Sequence, residues 1–427
     1  MSHRLLSLAS AHHDGQPFCL TAICSAQPMI LRAALRFAKK HQQICLIEAT
    51  CNQVNQEGGY TGMQPSDFVT LVRGIAAEEH LGQSRLILGG DHLGPNPWRH
   101  LDSSVAMANA EQLVRAYALA GFEKIHLDTS MSCCGDPARL DEGTIAKRAA
   151  RLAAVVESVC VTHELPPPVY VVGTEVPPPG GAAHVLNEVV PTRPEAAIET
   201  IRMHREQFEL LGLSGAFDRV IALVVQPGVE FGDTNVYPYN SAKAQRLALV
   251  LRQNAGIIFE AHSTDYQSAF ALKQLAIDGF NIQKVGPWLS YAYREALFAL
   301  DAIAGVLSDS YVAGTLPEAM EAAMVSNPEY WQDHYTGSMR SQKLMRQFSY
   351  SDRIRYYWSS DTASRAVERL LETLGDEPLP EMVVSQFLPQ YWRMAMTQPV
   401  SAKTILFNAV ESVLAQYPMA PPEGYTE

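Results

Sequence analysis

Long apolar runs are missing from this sequence of 427 residues: none approaches the ~20 residues needed to cross a bilayer, and the first residues lack the apolar stretch of a secretory signal. We therefore expect a cytoplasmic protein with no membrane partner. An excess of positive charge is missing too, since 33 Lys and Arg stand against 45 Asp and Glu, a net charge of −12. That balance argues against nucleic acid as a partner, although a local pocket can still bind a small anion.

Nucleotide-binding loops and metal-finger spacing are also lacking. No GxxxxGK[ST] loop occurs and no GxGxxG follows a predicted strand, which argues against nucleotide-driven phosphoryl transfer. The seven cysteines are scattered, and Cys133 and Cys134 are adjacent, a spacing that suits neither a structural disulfide nor a CxxC motif. We expect reduced cysteines that behave as small apolar residues.

One pattern is present eight times: a short apolar run that ends in glycine or polar residues. Such runs are typical of parallel strands buried on both faces. The predicted strands are residues 19–26, 44–50, 85–92, 124–130, 169–176, 219–228, 256–263 and 281–287. Stretches with helical spacing separate them, so the sequence predicts a (β/α)8 TIM barrel. An open doubly wound sheet is the alternative, but it favours a glycine-rich loop after the first strand, where CSAQPM stands instead.

The alternation stops after about Leu307, and the remainder is dense in aromatic and basic residues, with Arg353 and Arg355 among them. It is too hydrophobic for a disordered tail. We therefore predict a barrel over residues 1–307 and a helical C-terminal appendage over residues 308–427. The appendage either caps the barrel or contacts another subunit, since Tyr, Trp and Arg dominate protein interfaces.

Polar residues at the ends of the predicted strands are the candidates for function, because such barrels carry their sites at the carboxyl ends of their strands. The candidates are Glu48, Asn52, Gln53, Asp91, His92, Asn96, His126, Asp128, Ser130, Glu175, Gln226, Glu230, His262, Ser263, Asp265 and Lys284. His92 and His262, with the carboxylate of Glu175, could bind a divalent transition metal. Asp91 and Asp128 could then move protons on a polarised sugar carbonyl or hydroxyl. Alternatively, these groups only hydrogen-bond to one another around a polar barrel mouth.

A phosphate or substrate site is predicted beside the last two strands, where barrels commonly bind phosphate. Ser263 and Thr264 follow the seventh run, and Gly286 follows the eighth. Asn52 and Gln53, after the second run, add amide groups that could contact the same ligand.

Several long, irregular stretches resemble one known family. They include LIEATCNQVNQEGGYTGM, LILGGDHLGPNPW, VVGTEVPPPGG, IIFEAHSTDYQ and SYSDRIRYYW, and the likeness extends over essentially the whole chain. The family is the Z subunit of bacterial tagatose-1,6-bisphosphate aldolase, also called the GatZ/KbaZ family. The resemblance implies a non-catalytic, chaperone-like subunit that needs no cofactor. Its partner would be the catalytic, zinc-dependent Y subunit, in the breakdown of tagatose 6-phosphate, galactitol or N-acetylgalactosamine.

The Z family in turn resembles a distant class II aldolase barrel. That pattern has Asp-His after the third strand, matched by Asp91 as acid/base and His92 as zinc ligand. Glu175 matches its acidic residue after the fifth strand, and His262 its zinc histidine after the seventh. Gln226 stands in place of the zinc histidine after the sixth strand, and an amide binds Zn²⁺ more weakly than imidazole. The resemblance thus implies a weakened metal site of these residues and argues against independent aldolase activity.

Two functions follow from these observations. The first is the partner role beside the Y subunit, which the resemblance favours. The second is a metal-dependent 4-epimerase that takes a ketose phosphate, converting tagatose 6-phosphate to fructose 6-phosphate by retro-aldol cleavage, rotation and re-addition. Such an enzyme would use Zn²⁺, Mn²⁺ or Co²⁺, and the presence of so many chemically capable pocket residues in one chain supports it.

Overall fold

The computed structural model describes residues 3–15, 18–173 and 189–419. Eight parallel strands close into a barrel, which confirms the predicted fold class. The strands are β1 Leu20–Ile23, β2 Cys45–Thr50, β3 Leu86–Leu93, β4 Lys124–Leu127, β5 Val169–Gly173, β6 Val220–Val224, β7 Ile258–Ala261 and β8 Phe280–Val285. Each overlaps one of the predicted runs. The barrel closes through the pairing of β1 with β8, in which Leu20 lies opposite Ile282.

Helices surround the barrel. They are α1 Leu8–His13, α2 Pro28–Lys40, α3 Pro65–Glu78, α4 Ser103–Leu119, α5 Glu142–Thr162, α6 Pro194–Leu210, α7 Ser214–Phe217, α8 Ser241–Ala248, α9 Ala269–Ile277 and α10 Pro287–Leu307. Asp102, Asp141 and Ser268 accept hydrogen bonds from backbone amides in the first turns of α4, α5 and α9, as such residues do at helix starts. No helix in the described ranges combines the length and apolar character needed to cross a membrane.

The barrel interior changes character along its axis. Leu46, Ile258 and Ile282 belong to an apolar cluster that Leu5 and Leu8, from the amino-terminal segment, also join. Alternate residues of a strand share a face, so the inward positions that follow are polar. They are Glu48 on β2, Glu260 on β7 and Lys284 on β8, all buried. The polar half lies toward the carboxyl ends of the strands.

A short antiparallel hairpin after β6 pairs Glu230–Phe231 with Val236–Tyr237. The sequence analysis did not predict it, because strands of two residues are too short to show a period. The hairpin places Phe231 beside the mouth of the barrel.

The chain after α10 is mainly helical and packs against the helices that surround the barrel. Its helices are α11 Thr315–Ser326, α12 Met339–Phe348, α13 Asp361–Leu374, α14 Glu381–Phe387, α15 Trp392–Thr397 and α16 Ala402–Leu414. Helix α16 packs against both α2 and α10. The guanidinium of Arg36 on α2 lies 4.5 Å from the ring centre of Phe407 on α16. Beyond α16, the Tyr417 hydroxyl lies 3.2 Å from the Thr264 carbonyl oxygen, next to the barrel mouth. The helical C-terminal part is therefore joined to the outer ring of the barrel.

Candidate active site

Two lysines lie among carboxylates at the centre of the polar half. The Nζ of Lys124, fully buried on β4, is 2.5 Å from Glu48 Oε1 and 2.7 Å from Glu260 Oε2. Lys284 forms ion pairs with Glu48 at 2.6 Å, with Glu260 at 3.4 Å and with Asp91. Burial lowers the pKa of Lys284, but these three carboxylates outweigh burial and raise the pKa well above its ordinary value. Lys284 is therefore a fixed positive charge and not an amine nucleophile.

Three histidine rings meet at the carboxyl end of the barrel. The ring centres of His92, His126 and His262 lie 4.9 to 5.2 Å from one another. His126 Nδ1 is 2.8 Å from Asp91 Oδ1, and His262 Nε2 is 3.0 Å from Glu260 Oε1. Burial and the charge of Lys284 lower the pKa of His262 to about 3, so its imidazole is neutral and can bind a metal.

A divalent metal fits this site. Asp91, His126, Glu260 and His262, here called the metal cluster, offer ligand atoms that lie within 4.8 Å of one another. Imidazole nitrogen and carboxylate oxygen are the donors that Zn²⁺, Mn²⁺ and Co²⁺ accept. His126 Nε2 is buried and has no hydrogen-bond partner among the residues that the structure describes, which is costly unless a ligand binds it. The surrounding network contains the carboxylates of Glu48, Asp91, Asp128 and Glu260 and the ammonium groups of Lys124 and Lys284. With the histidines neutral, its net charge is two negative charges, which one divalent cation would balance.

His92 is paired with Asp128 rather than with the metal cluster. Its Nδ1 is 2.8 Å from Asp128 Oδ2, and its Nε2 is 3.7 Å from Asp91 Oδ2. Burial lowers the pKa of His92, but these two carboxylates outweigh it and raise the pKa. Burial raises the pKa of Asp128, but the hydrogen bond and the charge of His92 outweigh it, so the net pKa is lowered. Asp128 is therefore a carboxylate that orients the imidazole of His92.

A backbone irregularity explains how neighbouring residues of β3 both reach the site. Asp91 and His92 are adjacent, and adjacent residues of a regular strand face opposite sides. The register between β3 and β4 shifts between Gly90 and Leu93, and His92 has a φ of 50°. A bulge of this kind redirects side chains. The bulge turns the Asp91 carboxylate toward the other members of the metal cluster and the His92 imidazole toward Asp128.

Most of the predicted substrate-binding residues line one cavity. Its walls contain Cys24, Thr50, Asn52, Gln53, Tyr60, Asp91, His92, Phe231, His262, Ser263, Asp265, Lys284, Val285, Gly286, Pro287, Arg355 and Tyr356. Thr264 is not among them, because its hydroxyl donates to the Lys284 carbonyl at 2.6 Å. The amino end of α10 is occupied as well: Asp265 Oδ1 accepts hydrogen bonds from the amides of Gly286 and Trp288 at 3.0 and 2.8 Å. Those amides therefore already have a carboxylate where a phosphate was expected.

Two predicted metal ligands, His92 and Gln226, are not members of the metal cluster. Gln226 Oε1 accepts hydrogen bonds from the amides of Gly228 and Val229 at 2.8 and 3.0 Å, so its side chain stabilises its own loop. The geometry thus corrects the assignment of Gln226 to the metal. Glu175 lies outside the described residues.

The chain matches, over residues 5–421, the family described as D-tagatose-1,6-bisphosphate aldolase subunit GatZ/KbaZ-like. It belongs to this family. A D-tagatose 6-phosphate 4-epimerase of Agrobacterium fabrum is 52% identical over 424 residues, which are 99% of this chain and 100% of that protein. The crystal structure of a probable tagatose 6-phosphate kinase of Sinorhizobium meliloti is similar with a TM-score of 0.87 and 48% identity, covering 93% of this chain and 99% of that one.

A more distant solved structure shares the fold alone. It is the fructuronate-tagaturonate epimerase of Cohnella laeviribosi, with a TM-score of 0.50 and 10% identity over 96% of this chain and 85% of that one. The family match over residues 5–421 and the relative that is 52% identical confirm the resemblance predicted from the sequence.

The appendage of this family member forms one wall of the cavity. Arg355 and Tyr356 line it, and the Tyr356 ring lies 4.7 Å from the ring of Tyr60, which follows β2. Most appendage aromatics that the sequence singled out are buried, including Trp331, Tyr335, Tyr357, Trp358 and Tyr391. Trp358 packs against Tyr293 of α10, with ring centres 5.8 Å apart, and so helps to hold the appendage on the barrel, one of the two roles expected of it.

Several site residues escaped the sequence analysis although a signal existed. Alternate residues of a strand share a face, so Lys124, His126 and Asp128 all point into the barrel, as do Glu260 and His262. The candidates were chosen among polar residues at the ends of the apolar runs. Lys124 and Glu260 lie inside the strands and were therefore not among them. His126 was a candidate but was not assigned to the metal.

Proposed function

We propose that this chain is a metal-dependent ketose-phosphate 4-epimerase that interconverts D-tagatose 6-phosphate and D-fructose 6-phosphate. The observation that carries the proposal is the metal cluster beside the His92–Asp128 pair. A purely stabilising subunit has no need of a buried charged interior, because apolar residues in place of buried ion pairs are often more stabilising. The relative that is 52% identical over its full length bears the same activity in its name.

The position of the carbonyl in a 2-ketose decides the reaction type. The carbonyl at C2 acidifies the hydrogen on C3 but not the hydrogen on C4. The C3–C4 bond, however, lies β to the carbonyl, so its cleavage leaves the electron pair in a stabilised enediolate. Inversion at C4 therefore proceeds by retro-aldol cleavage, rotation of the aldehyde and re-addition.

The side chains of the cavity suit each part of this reaction. In its neutral form, His92 is oriented by Asp128 through Nδ1 and takes the proton of the C4 hydroxyl as the C3–C4 electron pair moves toward C2. The imidazolium that results is the form that the carboxylates of Asp91 and Asp128 stabilise. The fixed charge of Lys284 stabilises the negative charge that develops on the substrate oxygens. After the aldehyde has turned, the C3–C4 bond re-forms and His92 returns the proton to the C4 oxygen, so that atoms and electrons balance without an oxidant.

A divalent metal held by the metal cluster would polarise the C2 carbonyl and its neighbouring oxygen. The Asp91 side chain is a carboxylate, the form that binds a metal, because its pKa is well below its ordinary value. Burial raises that pKa, but the charges of His92 and Lys284 and the hydrogen bond of His126 outweigh it.

Stabilisation of a catalytic Y subunit is the second candidate function. Three apolar side chains on α14 and α15 are exposed, namely Met382 at 74%, Trp392 at 38% and Met396 at 60%. A group of exposed Met and Trp side chains is typical of a protein interface. The two functions use different parts of the surface and are compatible.

The test is turnover by the purified protein alone. Tagatose 6-phosphate is incubated with Co²⁺, Mn²⁺ or Zn²⁺, and fructose 6-phosphate is measured with a coupled dehydrogenase. We expect product with metal and none after treatment with a chelator. If no product forms with any metal while the protein protects a Y aldolase from thermal inactivation, the epimerase proposal is wrong and the subunit role is supported.

A further inference from the structure

Arg355 is a positive charge on the cavity wall that forms no ion pair with a carboxylate in the part of the chain that the structure describes. It lines the same cavity as Asp91 and His262. Among the described residues, no carboxylate oxygen lies within ion-pair distance of its guanidinium. Its hydrogen bonds go instead to the carbonyls of Ser351 and Asp352, the latter at 3.1 Å, and to the Tyr356 hydroxyl at 2.8 Å. The carboxylates of Asp352 and Asp265 act on this charge only from beyond ion-pair distance, which leaves room for an anionic ligand to form the direct ion pair.

The lysine of the cavity and the backbone amides at the amino end of α10 already have anionic partners. Lys284 is surrounded by three carboxylates. The backbone amides at the amino end of α10, a common phosphate site in barrels, bind the carboxylate of Asp265. A negatively charged group entering the cavity thus finds its favourable contact at Arg355.

The segment that carries Arg355 is held firmly in place. Asp352 has a φ of 46°, an uncommon conformation for a residue with a side chain. Its buried carboxylate accepts hydrogen bonds from Ser290 Oγ at 2.6 Å and Arg294 Nε at 2.9 Å, both on α10. Strained backbone that its surroundings hold in place is typical of functional sites. These contacts position Arg355 relative to the barrel and reduce the entropy lost on binding.

We propose that Arg355 binds the terminal phosphate of a sugar phosphate while the reacting carbons lie at the metal cluster. A planar guanidinium matches two oxygens of a phosphate monoester. Arg355 also borders a second cavity of about 470 Å³ that Asp91, His262 and Lys284 do not line, so its guanidinium lies at the boundary between the metal cluster's cavity and this one. The identity of the sugar rests on the proposed function, but the anion site does not.

Arg355→Gln and Arg355→Lys test this assignment, with Arg365→Gln as the matched control. Arg365 is an exposed arginine of α13 that does not line either cavity. Because a hydrogen bond to a charged group contributes about 1.5–3 kcal/mol, we expect Arg355→Gln to raise KM for tagatose 6-phosphate by roughly 10- to 100-fold. The ratio of kcat/KM for tagatose 6-phosphate to kcat/KM for unphosphorylated D-tagatose should fall by a similar factor, and Arg355→Lys should recover part of the loss.

A binding measurement separates this inference from the epimerase proposal. The thermal unfolding temperature of each variant is compared with and without tagatose 6-phosphate, D-tagaturonate or inorganic phosphate. We expect tagatose 6-phosphate to stabilise the wild type more than tagaturonate does, and Arg355→Gln to lose that stabilisation. Stabilisation of the wild type without turnover would contradict the epimerase proposal and leave the phosphate site standing.

Three results would overturn the assignment of Arg355. The first is an unchanged KM for tagatose 6-phosphate in Arg355→Gln. The second is an equal loss of kcat/KM for tagatose and tagatose 6-phosphate in that variant. The third is a stronger thermal stabilisation of the wild type by tagaturonate than by tagatose 6-phosphate. If Arg355→Gln does not fold, the same comparison of phosphorylated and unphosphorylated sugar in Arg355→Lys decides.

Discussion

The imidazole of His92 and the carboxylate of Asp128 form a buried hydrogen-bonded pair, with Nδ1 2.8 Å from Oδ2. Asp128 also accepts hydrogen bonds from the amide and the hydroxyl of Ser130, at 3.1 and 2.7 Å. A carboxylate behind an imidazole selects its tautomer and stabilises the protonated ring. The pair therefore acts as one acid/base unit in the proposed reaction.

Replacing the charge of this unit should slow the chemical step. Asp128→Asn keeps the shape of the side chain but removes its charge, so we expect kcat to fall by roughly 10²- to 10⁴-fold. KM and the metal content should change little, because neither depends directly on Asp128. Ser130→Ala is the control, since it removes only a supporting hydrogen bond. Full activity of Asp128→Asn would exclude this role.

The metal cluster makes a prediction about metal content. His126→Asn removes the buried nitrogen that lacks a partner, and we expect at least a roughly 10- to 100-fold loss of affinity for Co²⁺, Mn²⁺ or Zn²⁺. Bound metal is measured by mass spectrometry after dialysis. Gln226→Ala is the matched control and should retain the metal, because the Gln226 side chain serves its own loop. Loss of metal in Gln226→Ala alone would reverse this assignment.

The retro-aldol route predicts an isotope result. When tagatose 6-phosphate is converted in D₂O, the hydrogens on C3 and C4 should both be retained, because neither C–H bond breaks. Nuclear magnetic resonance of the fructose 6-phosphate reads this directly. Deuterium at C4 would indicate proton abstraction from that carbon and exclude the proposed route, whereas deuterium at C3 alone would report exchange of the hydrogen that the carbonyl acidifies.

Close backbone approach at the end of β3 predicts a loss of stability. A Cβ on Gly94 would overlap the carbonyl oxygen of Asp128, which follows β4. Since backbone cannot rotate away as a side chain can, we expect Gly94→Ala to lower the free energy of unfolding by roughly 2–4 kcal/mol, measured with urea, and to reduce activity. Gly74→Ala on α3 meets no atom within 4 Å and should be neutral or stabilising by up to about 1 kcal/mol.

The carboxylate at the start of α10 predicts a pH dependence of stability. Burial raises the pKa of Asp265 from 3.8 to about 6, although the amides of Gly286 and Trp288 act to lower it. The folded state thus favours the protonated acid, and the stability from this preference is present below the unfolded pKa and lost as pH rises through 6. We expect this loss to be roughly 2–3 kcal/mol.

Asp265→Asn should lack that part of the pH dependence, because an amide does not titrate. The free energy of unfolding of wild type minus that of the variant should therefore become more negative between about pH 4.5 and about pH 7.5. A difference that does not vary with pH would contradict the raised pKa.

The strands of the barrel could be predicted from sequence because both of their faces are buried, which leaves continuous apolar runs such as the one containing β6. The hairpin at Glu230–Phe231 could not, since it has too few residues for a pattern. Membership of the GatZ/KbaZ-like family was predictable from long irregular motifs. The sequence motifs do not decide between the two candidate functions, because the resemblance favours the partner role while the metal cluster, on which the epimerase proposal rests, depends on how the strands are brought together.

The composition of the site depends on geometry that a linear pattern does not contain. Asp91 and His92 serve different partners because of the bulge in β3, which the sequence GGDHLG does not reveal on its own. Arg355 reaches the cavity through packing between segments far apart in the chain. The side chain of Gln226 finds donors in its own loop, and a strand-by-strand comparison with aldolases cannot anticipate that choice.

The position of α16 between α2 and α10 has a consequence for biosynthesis. A ribosome synthesises α2 early and α16 late. The apolar surfaces of α2 and α10 that α16 covers are therefore exposed to solvent until translation is almost finished. A chain interrupted before Phe407 lacks the helix that covers this seam and presents surface that chaperones and proteases recognise. A complete chain and an interrupted chain thus differ in the apolar surface that they expose on α2 and α10, whether or not a substrate is bound.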